Sequence, residues 1–297
     1  MVSISIVTPT FNRGRLIGTA ISSAWEQNSR PLEHIVVDGA SSDDTLQRLS
    51  GFPQLTVISE PDRGLYDAIN KGIRMAAGDV VLLLNSDDQL LPGAIAAAQQ
   101  AFAGNPEVAS VCGRILLGKS GAAGHDFEIG CPAMQQLRAG DIISGLPLTN
   151  ARFFRREVFD KIGGFDQRFP VLADRDFLGR FYLAGFSTVV VDRAVYRYNA
   201  HPSSLTFATP RARPEHLREA IELARYRLAQ SHSEAELAFY RQWFAWAVSY
   251  AAARAVQTGR LSDAGEMFKQ ALDRRISPGA LLRQLKWHLE TRSERRG

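Results

Sequence analysis

The stretch Val80–Asp88, with the sequence VVLLLNSDD, decides the fold. Its first five residues are apolar without interruption, which is typical of a parallel strand buried on both faces. Upstream of it, strand patterns alternate with helical patterns, and this alternation predicts an α/β fold with a mostly parallel sheet between helices. The predicted strands are Ser3–Val7, His34–Val37, Leu55–Ile58 and Val80–Leu84, and the predicted helices between them are Arg15–Gln27, Asp43–Leu49 and Leu65–Ala76.

A polar cluster follows each of these four strands. In open α/β sheets the ligand lies at the carboxyl ends of the strands. We therefore expect the clusters to meet at one edge of the sheet and to form the functional site there. They are Thr8–Arg13, Asp38–Ser41, Glu60–Arg63 and Asn85–Asp88.

The rest of the chain follows other patterns. Residues 105–205 are less regular, with a helix from about Asp174 to Ala184, and from Pro210 onward the pattern is helical almost throughout. We therefore predict a sheet domain over residues 1–206 and a helical appendage over residues 207–297. The first part carries 19 Lys and Arg against 21 Asp and Glu, a net charge of −2, and the second carries 16 against 10, a net charge of +6. A basic appendage favours anionic neighbours such as a membrane surface, or is simply a solvated helical surface.

Composition and targeting signals narrow the class of protein. With 45% hydrophobic and 22% charged residues among 297, the chain has the composition of a globular protein. It shows no signal-peptide pattern, and no segment reaches the roughly 18 to 20 apolar residues that span a bilayer. Two cysteines, Cys112 and Cys131, cannot build a disulfide framework. We therefore expect a cytoplasmic protein, and the lack of a recognisable motif predicts no nucleic-acid partner.

Two adjacent carboxylates, Asp87 and Asp88, come directly after the buried strand. Like charges this close oppose each other's ionisation unless a cation is present. Hard cations such as Mg²⁺ and Mn²⁺ take carboxylate and phosphate oxygens as ligands. The pair therefore indicates a divalent metal site, while a solvated turn or a helix N-cap before Pro92 explains it without one.

Two further patterns provide groups that can bind parts of a nucleotide. Asp38 can accept hydrogen bonds from a base or a ribose, or can be a turn residue before Gly39. Gly64 precedes a helix whose N-terminus can face phosphate, and Arg63 and Lys71 add positive charge there. A solvated polar helix face explains these three residues equally well.

A late pair of carboxylates, Asp174 and Asp176, opens the helix that begins near residue 174. Either one can be a general base held on a rigid element. Either one can also be a helix cap that interacts with the helix dipole. The local pattern does not decide between these interpretations.

Together these motifs resemble the family 2 glycosyltransferases, which have the Rossmann-like GT-A fold. The resemblance covers about residues 3–206. It implies an enzyme that moves a sugar from a nucleoside diphosphate donor to an acceptor hydroxyl. The stretches that carry it are Ile6–Arg13, Val36–Ser41, Glu60–Gly72, Leu84–Asp88, Ile162–Asp166 and Ala173–Asp176.

The resemblance also implies roles for individual residues at the donor site. Asp88 would bind Mn²⁺ or Mg²⁺, Asp87 would lie at the ribose or the metal, and His201 would complete the metal or diphosphate site or have no role. The nucleotide would most often be a uridine diphosphate. The residues expected around the nucleotide sugar are Thr8, Pro9, Thr10, Asn12, Arg13, Asp38, Arg63, Gly64, Lys71 and Asp87.

For the reaction, the resemblance implies an inverting single displacement with Asp174 as the base. The glutamate that precedes this aspartate in the family is Ala173 here, and Asp176 remains a rival. The chain lacks the Gln-x-x-Arg-Trp spacing of processive members, so we expect transfer of a single sugar. The implied acceptor is a saccharide or a lipid-linked saccharide of bacterial surface polysaccharide synthesis.

Two other functions remain open. A sugar nucleotidyltransferase also uses an α/β sheet with metal-binding carboxylates, although the loop after the first strand lacks the Gly-rich basic pattern of those enzymes. A non-catalytic GT-A scaffold is the second alternative. The sequence leaves open whether identical chains associate into a homo-oligomer.

Overall fold

A computed structural model describes residues 1–119, 127–130, 137–200, 214–272 and 277–293 of the protein. The chain divides into two compact units, Met1–Ala208 and Thr209–Gly297. The first unit is built around a β-sheet, and the described part of the second unit is helical.

The first unit alternates strands and helices over its first hundred residues. Its strands are β1 (Ile4–Thr10), β2 (Glu33–Asp38), β3 (Thr56–Ser59), β4 (Val80–Leu83), β5 (Gln89–Leu90), β6 (Ser110–Lys119), β7 (Phe127–Gly130), β8 (Arg152–Arg155) and β9 (Thr188–Ala200). Its described helices are α1 (Gly14–Trp25), α2 (Thr45–Leu49), α3 (Leu65–Met75), α4 (Ala94–Gly104), α5 (Ala139–Ser144), α6 (Arg156–Ile162) and α7 (Ala173–Leu183).

All nine strands of the described residues belong to one sheet, in the order β3-β2-β1-β4-β8-β6-β9-β5, with β7 beside β6. The strands β3, β2, β1 and β4 run parallel to one another. Strand β8 runs antiparallel to both β4 and β6, so the far half of the sheet is mixed. The predicted α/β fold is confirmed, and the four strands on which the prediction rested form a parallel half of the sheet, while β6 and β9 form a second parallel pair.

The end of β1 differs from the prediction. We expected this strand to end at Val7, but it continues to Thr10, and Pro9 lies opposite Val37 of β2. The pairing of β1 with β4 stops at Val7 opposite Leu83, so the last residues of β1 have a strand partner on one side only. A proline is tolerated at such an edge position because its missing N–H has no ladder partner to lose.

The core of the first unit lies on both faces of the parallel strands. Ile6, Val36 and Leu82 are fully buried, as expected for strands that helices cover on both sides. Helix α3 lies so close to β1 at Gly72 that a Cβ atom at this position would clash with the Val7 side chain. This close approach helps to set the position of α3 and of the side chains at its start.

The second unit consists of α8 (Pro214–Gln230), α9 (Glu234–Gln257), α10 (Leu261–Leu272) and α11 (Pro278–Ser293) in its described residues. Helix α9 contacts the other three and buries Trp243 and Phe244 completely. It begins at a capping box, in which the Ser233 hydroxyl accepts from the Glu236 N–H at 3.2 Å and the Glu236 carboxylate accepts from the Ser233 N–H at 3.0 Å. Within the described residues, no helix is both long enough and apolar enough to cross a membrane.

Candidate active site

The carboxyl edge of the parallel strands carries the predicted polar clusters. Thr10 ends β1 and lies opposite Asp38, which ends β2, while Ser59 ends β3 opposite the same aspartate. The Asn85–Asp88 cluster follows β4, the neighbour of β1 on its other side. Because these four strands are parallel, all four clusters lie at one edge of the sheet, as the sequence predicts.

Asp38 is fully buried at this edge and organises the loops around it. Its carboxylate accepts hydrogen bonds from the Ser41 N–H at 3.0 Å, from the Ser41 hydroxyl, and from the Ser59 hydroxyl at 2.7 Å. A buried carboxylate needs such donors because they replace the water it has lost. Asp38 thereby ties the loop after β2 to the end of β3.

The loop after β1 is held against the loop after β2 by Asn12. This residue adopts a left-handed backbone conformation with φ of 52°. Its side-chain oxygen accepts from the Ser42 N–H, and its own N–H donates to the Ser41 hydroxyl, both at 2.8 Å. The Arg13 N–H donates to the Thr45 hydroxyl at 2.9 Å. The two loops therefore form one hydrogen-bonded unit beside Asp38.

Thr8 and Pro9, two of the residues predicted at the nucleotide, lie buried within β1. The Thr8 hydroxyl is 2.8 Å from Nε2 of His34, which is itself fully buried. Burial lowers the pKa of His34 to about 3, so its ring is neutral at ordinary pH. Phe11, directly after β1, was not among the predicted site residues. It is 56% exposed, and its ring lies close to Gly39.

The cations at the start of α3, Arg63 and Lys71, lie beside carboxylates. Lys71 Nζ lies 2.8 Å from Glu60 Oε1 and 3.6 Å from Asp67 Oδ2, and the hydrogen bond with Glu60 is the main reason for its raised pKa. Arg63 is 81% exposed and lies 3.6 Å from Asp67 Oδ1. Gly64 has φ of 107°, a conformation that favours glycine. The two cations therefore have carboxylate partners at the start of this helix.

The two carboxylates after β4 have different surroundings. Asp88 is 1% exposed, and its carboxylate accepts from the Tyr196 hydroxyl at 2.8 Å, the Asn199 N–H at 2.9 Å and the Asn85 side chain at 3.1 Å. The Asp87 side chain is half-buried, and its backbone carbonyl accepts from the Asn199 side chain at 2.9 Å. Asp88 therefore joins β4 to β9, and sequence reasoning did not anticipate Tyr196 or Asn199.

The electrostatics of this pair fit a divalent cation. Burial, followed by the charge of Asp87, raises the pKa of Asp88 to about 7. A cation beside the pair would oppose both effects, since positive charge favours the ionised carboxylate. His201, the third predicted ligand, lies outside the described residues, and within those residues no three His, Cys, Asp or Glu side chains cluster as a metal site.

Asp174 lies in the first turn of α7 and is partly exposed. Its Oδ1 accepts from the Arg175 N–H at 2.7 Å. Burial of the carboxyl group raises the pKa of Asp174 above its usual range. A carboxylate that is held by a backbone donor and has a raised pKa suits a general base.

Asp176, the rival base, has a structural role. It is fully buried, and its Oδ2 accepts from Arg180 Nε at 2.8 Å. Arg180 in turn donates to the carbonyl oxygens of Ile162 and Gly164. The carboxylate of Asp176 thus positions an arginine that holds the loop before α7.

That loop is held from the other side by Asn70 of α3. The Asn70 side chain donates to the Phe165 carbonyl at 2.7 Å and accepts from the Phe165 N–H at 2.8 Å. Gly163 has φ of 75°, and Gly164 lies so close to Asn70 that a Cβ atom would clash. The glycine pair is therefore required by the backbone conformation and by the approach of α3.

Comparison with known proteins agrees with this architecture. A family model described as glycosyl transferase family 2 matches residues 5–163. An uncharacterized glycosyltransferase of Mycobacterium tuberculosis is 35% identical over 184 residues, which cover 60% of this chain and 68% of that protein. A GalNAc(5)-diNAcBac-PP-undecaprenol beta-1,3-glucosyltransferase of Campylobacter jejuni is 35% identical over 134 residues, 43% of each chain.

Two solved structures share the fold. Residues 1–349 of S. aureus TarS, in complex with UDP-GlcNAc, give a TM-score of 0.61 at 17% identity, covering 83% of this chain and 72% of that one. The mannosyltransferase PcManGT of Pyrobaculum calidifontis, in complex with GDP-Man and Mn²⁺, gives 0.53 at 21% identity, covering 97% and 85%. At these identities the likeness concerns the fold, which is the GT-A fold.

The structural role of Asp176 can be tested with Arg180→Met. This change leaves a fully buried carboxylate without its cation, so we expect the free energy of unfolding to fall by about 3–5 kcal/mol in urea titrations. The matched control is Arg48→Met, which removes an ion pair of 2.9 Å between exposed side chains and should cost about 1 kcal/mol or less. Equal, small losses in the two variants would contradict the structural role.

Proposed function

This chain belongs to glycosyl transferase family 2 and is a glycosyltransferase, and from that premise we propose that it transfers one sugar, with inversion, from a uridine diphosphate sugar to an acceptor hydroxyl. The observation that carries the proposal is the carboxylate of Asp174. Asp174 is a partly exposed residue in the first turn of α7, and its carboxylate accepts from the Arg175 N–H at 2.7 Å. The loop before α7 is hydrogen-bonded to Asn70 of α3. Helix α3 follows β3, whose end lies at the same sheet edge as Asp38.

The nucleotide is proposed to bind at the ends of β1 and β2. Asp38 and Asn12 hold the two loops there as one unit, so the backbone groups and exposed side chains of these loops form a preorganised surface. Thr10 supports this placement, because its hydroxyl is buried at the strand end and has no hydrogen-bond partner among the residues that the structure describes. The exposed ring of Phe11 is available to stack on a base.

Asp87 and Asp88 are proposed to hold a divalent cation, Mn²⁺ or Mg²⁺, together with His201. Asp87 is the better candidate for direct ligation because its side chain is half-buried, whereas protein donors surround the carboxylate of Asp88. Asp88 then acts by holding the turn in place against β9. When bound, such a cation neutralises charge on the diphosphate leaving group.

In the proposed reaction, the Asp174 carboxylate accepts the proton of the acceptor hydroxyl. The acceptor oxygen forms a bond to C1 of the sugar while the bond from C1 to the diphosphate oxygen breaks, so nucleoside diphosphate leaves with the bonding electrons. The products are the glycosylated acceptor, the nucleoside diphosphate and a protonated Asp174, which returns its proton to solvent. No covalent enzyme intermediate is needed.

The acceptor is proposed to be a saccharide, free or linked to a lipid carrier, in bacterial glycoconjugate synthesis. The Campylobacter relative supports this class, since its name specifies an undecaprenol-linked substrate. The net charge of +6 on residues 207–297 supports contact with an anionic membrane surface, where such acceptors lie.

The donor and the metal can be tested together by thermal shift. We expect UDP-GlcNAc or UDP-glucose to raise the melting temperature more than GDP-mannose, and only in the presence of Mn²⁺. Asp87→Asn should abolish the Mn²⁺-dependent part, while Asp192→Asn, which alters an 86% exposed side chain, should retain it. A preference for GDP-mannose would contradict uridine recognition, and release of pyrophosphate in place of nucleoside diphosphate would indicate a nucleotidyltransferase.

The base can be tested with Asp174→Asn. This change keeps the shape of the side chain but removes the proton acceptor, so we expect kcat to fall by about 10² to 10⁴ with donor binding nearly unchanged. In the unchanged protein, kcat should fall as the pH drops through the pKa of Asp174, which lies above the usual aspartate range. Near-normal turnover by Asp174→Asn, with Asp192→Asn as the control, would exclude this residue as the base.

Membrane contact can be tested with the full chain and vesicles of phosphatidylglycerol or phosphatidylcholine. Arg218 of α8 and Arg283 of α11 are both exposed. Replacing each with glutamine should weaken binding to the anionic vesicles by about 1 kcal/mol per residue. Arg48→Gln in the first unit is the control, and equal binding to both lipids would contradict an electrostatic contact.

A further inference from the structure

The turn Asn85–Asp88, between β4 and β5, joins two strands that are not neighbours in the sheet. Strands β8, β6 and β9 lie between them in the strand order. Strand β4 pairs with β1 and β8, whereas β5 pairs with β9 through Leu90 and Tyr196. The turn that carries the two carboxylates therefore reaches from one part of the sheet to another, and its shape depends on contacts with strands other than its own.

The hydroxyl of Tyr196 is the centre of these contacts. Tyr196 lies in β9 and is fully buried. Its hydroxyl donates to Asp88 Oδ2 at 2.8 Å and accepts from the Asn85 N–H at 3.2 Å, so it contacts both ends of the turn. It also accepts from the Asn150 side chain at 3.1 Å. A hydroxyl has one donor and two acceptor positions, and here all of them are used for the turn and for the residue that supports it.

Asn199, further along the same strand, holds the other side of the turn. Its N–H donates to Asp88 Oδ1 at 2.9 Å, and its side chain donates to the Asp87 carbonyl at 2.9 Å. The Asn85 side chain donates to Asp88 Oδ2 at 3.1 Å. Both oxygens of the Asp88 carboxylate thus accept from protein donors, and the backbone of Asp87 is fixed at its carbonyl.

Asn150 lies shortly before β8, and the backbone that follows it is unusual. Ala151 has φ of 62°, a left-handed conformation that residues other than glycine rarely adopt. Ala151 is fully buried, and its carbonyl accepts from the Gly113 N–H at 3.2 Å. Contacts in the core therefore maintain a strained backbone beside Asn150. Strain of this kind concentrates at functional sites, and here it adjoins the side chain that supports Tyr196.

We propose that Tyr196 is a positioning residue, whose hydroxyl, held by Asn150, fixes the turn so that the Asp87 carboxylate is presented to a divalent cation. This inference rests on the proposed role of Asp87 as a ligand of that cation. Residues that orient a metal ligand without touching the metal commonly contribute about 10- to 100-fold to metal affinity. A neutral hydroxyl suits the task, because it fixes the turn without adding a positive charge that would oppose the cation.

The test measures the Mn²⁺ affinity of the full chain by EPR titration in the presence of UDP or GDP. Tyr196→Phe keeps the buried ring and removes the hydroxyl, so we expect the Kd for Mn²⁺ to rise by about 10- to 100-fold. Tyr182→Phe is the control, because Tyr182 is exposed near the end of α7, and it should leave the Kd unchanged. An unchanged Kd in Tyr196→Phe, even with a lower melting temperature, would show that the hydroxyl only supports the fold and would overturn the proposal.

Turnover should place the defect at the metal. In Tyr196→Phe, the Mn²⁺ concentration for half-maximal activity should rise together with the Kd. At saturating Mn²⁺, kcat and the KM for the nucleotide sugar should return to the values of the unchanged protein, because the excess cation compensates for the weaker site. A loss of turnover that excess Mn²⁺ does not restore would contradict a role in positioning the metal ligand.

Asn150→Ala tests the support of the hydroxyl, and it replaces Tyr196→Phe if that variant does not fold. Loss of one hydrogen bond should raise the Kd for Mn²⁺ by about 2- to 10-fold. The control Asn105→Ala, which removes a side chain that donates to the Ala101 carbonyl on the surface, should leave it unchanged. Because Asn150 acts through the hydroxyl, the double variant should lose no more affinity than Tyr196→Phe alone. Additive losses would overturn the part assigned to Asn150.

Asp87→Asn separates a failure of this inference from a failure of the proposed function. If Asp87→Asn binds Mn²⁺ as tightly as the unchanged protein, Asp87 is not a ligand, and the positioning role is refuted with it. If Asp87→Asn loses Mn²⁺ while Tyr196→Phe retains it, the metal site stands and the role of Tyr196 is refuted.

Discussion

The arrangement of this site depends on the cost of burying carboxylates. A carboxylate taken out of water must receive hydrogen bonds or a cation in compensation. Asp38 receives donors from the loop after β2 and from the end of β3, and Asp88 from β9. Asp176 binds Arg180 of the same helix, which also donates to the loop before α7. Satisfying these carboxylates therefore also ties together strands, loops and helices that are distant in sequence.

Helices α3 and α7 illustrate how this constraint shapes the reactive part of the site. They are joined through the Asn70 side chain, which is hydrogen-bonded to the backbone N–H and carbonyl of Phe165. They are also joined through the ring stack from Tyr66 to Phe177. Asp174 lies at the end of this joined structure and remains partly exposed. Its carboxylate accepts from the backbone N–H of Arg175. In the role proposed for Asp174, a carboxylate held in this way needs less reorganisation when the substrate binds.

The sequence predicted the first half of the fold well, because buried parallel strands and amphipathic helices have distinct periods. The helix patterns before Ala76 match α1, α2 and α3 to within two residues at each end. The end of β1 was wrong, since Pro9 suggests a break although only one neighbouring strand is present there. The ion pairs of Arg63 and Lys71 with Glu60 and Asp67 were not anticipated, because they depend on a loop conformation that the spacing does not reveal.

The amino-acid sequence alone determined the α/β class, the edge of the sheet that carries the site, and the acidic residues that gather there. These properties follow from local periodicity and from the rule that parallel strands end at a common edge. Only the tertiary structure decided which carboxylate has which surroundings. Asp174 and Asp176 are two residues apart and chemically identical, yet Asp174 remains partly exposed while Asp176 is buried against Arg180. That difference arises from contacts between residues distant in sequence, so no local pattern can express it.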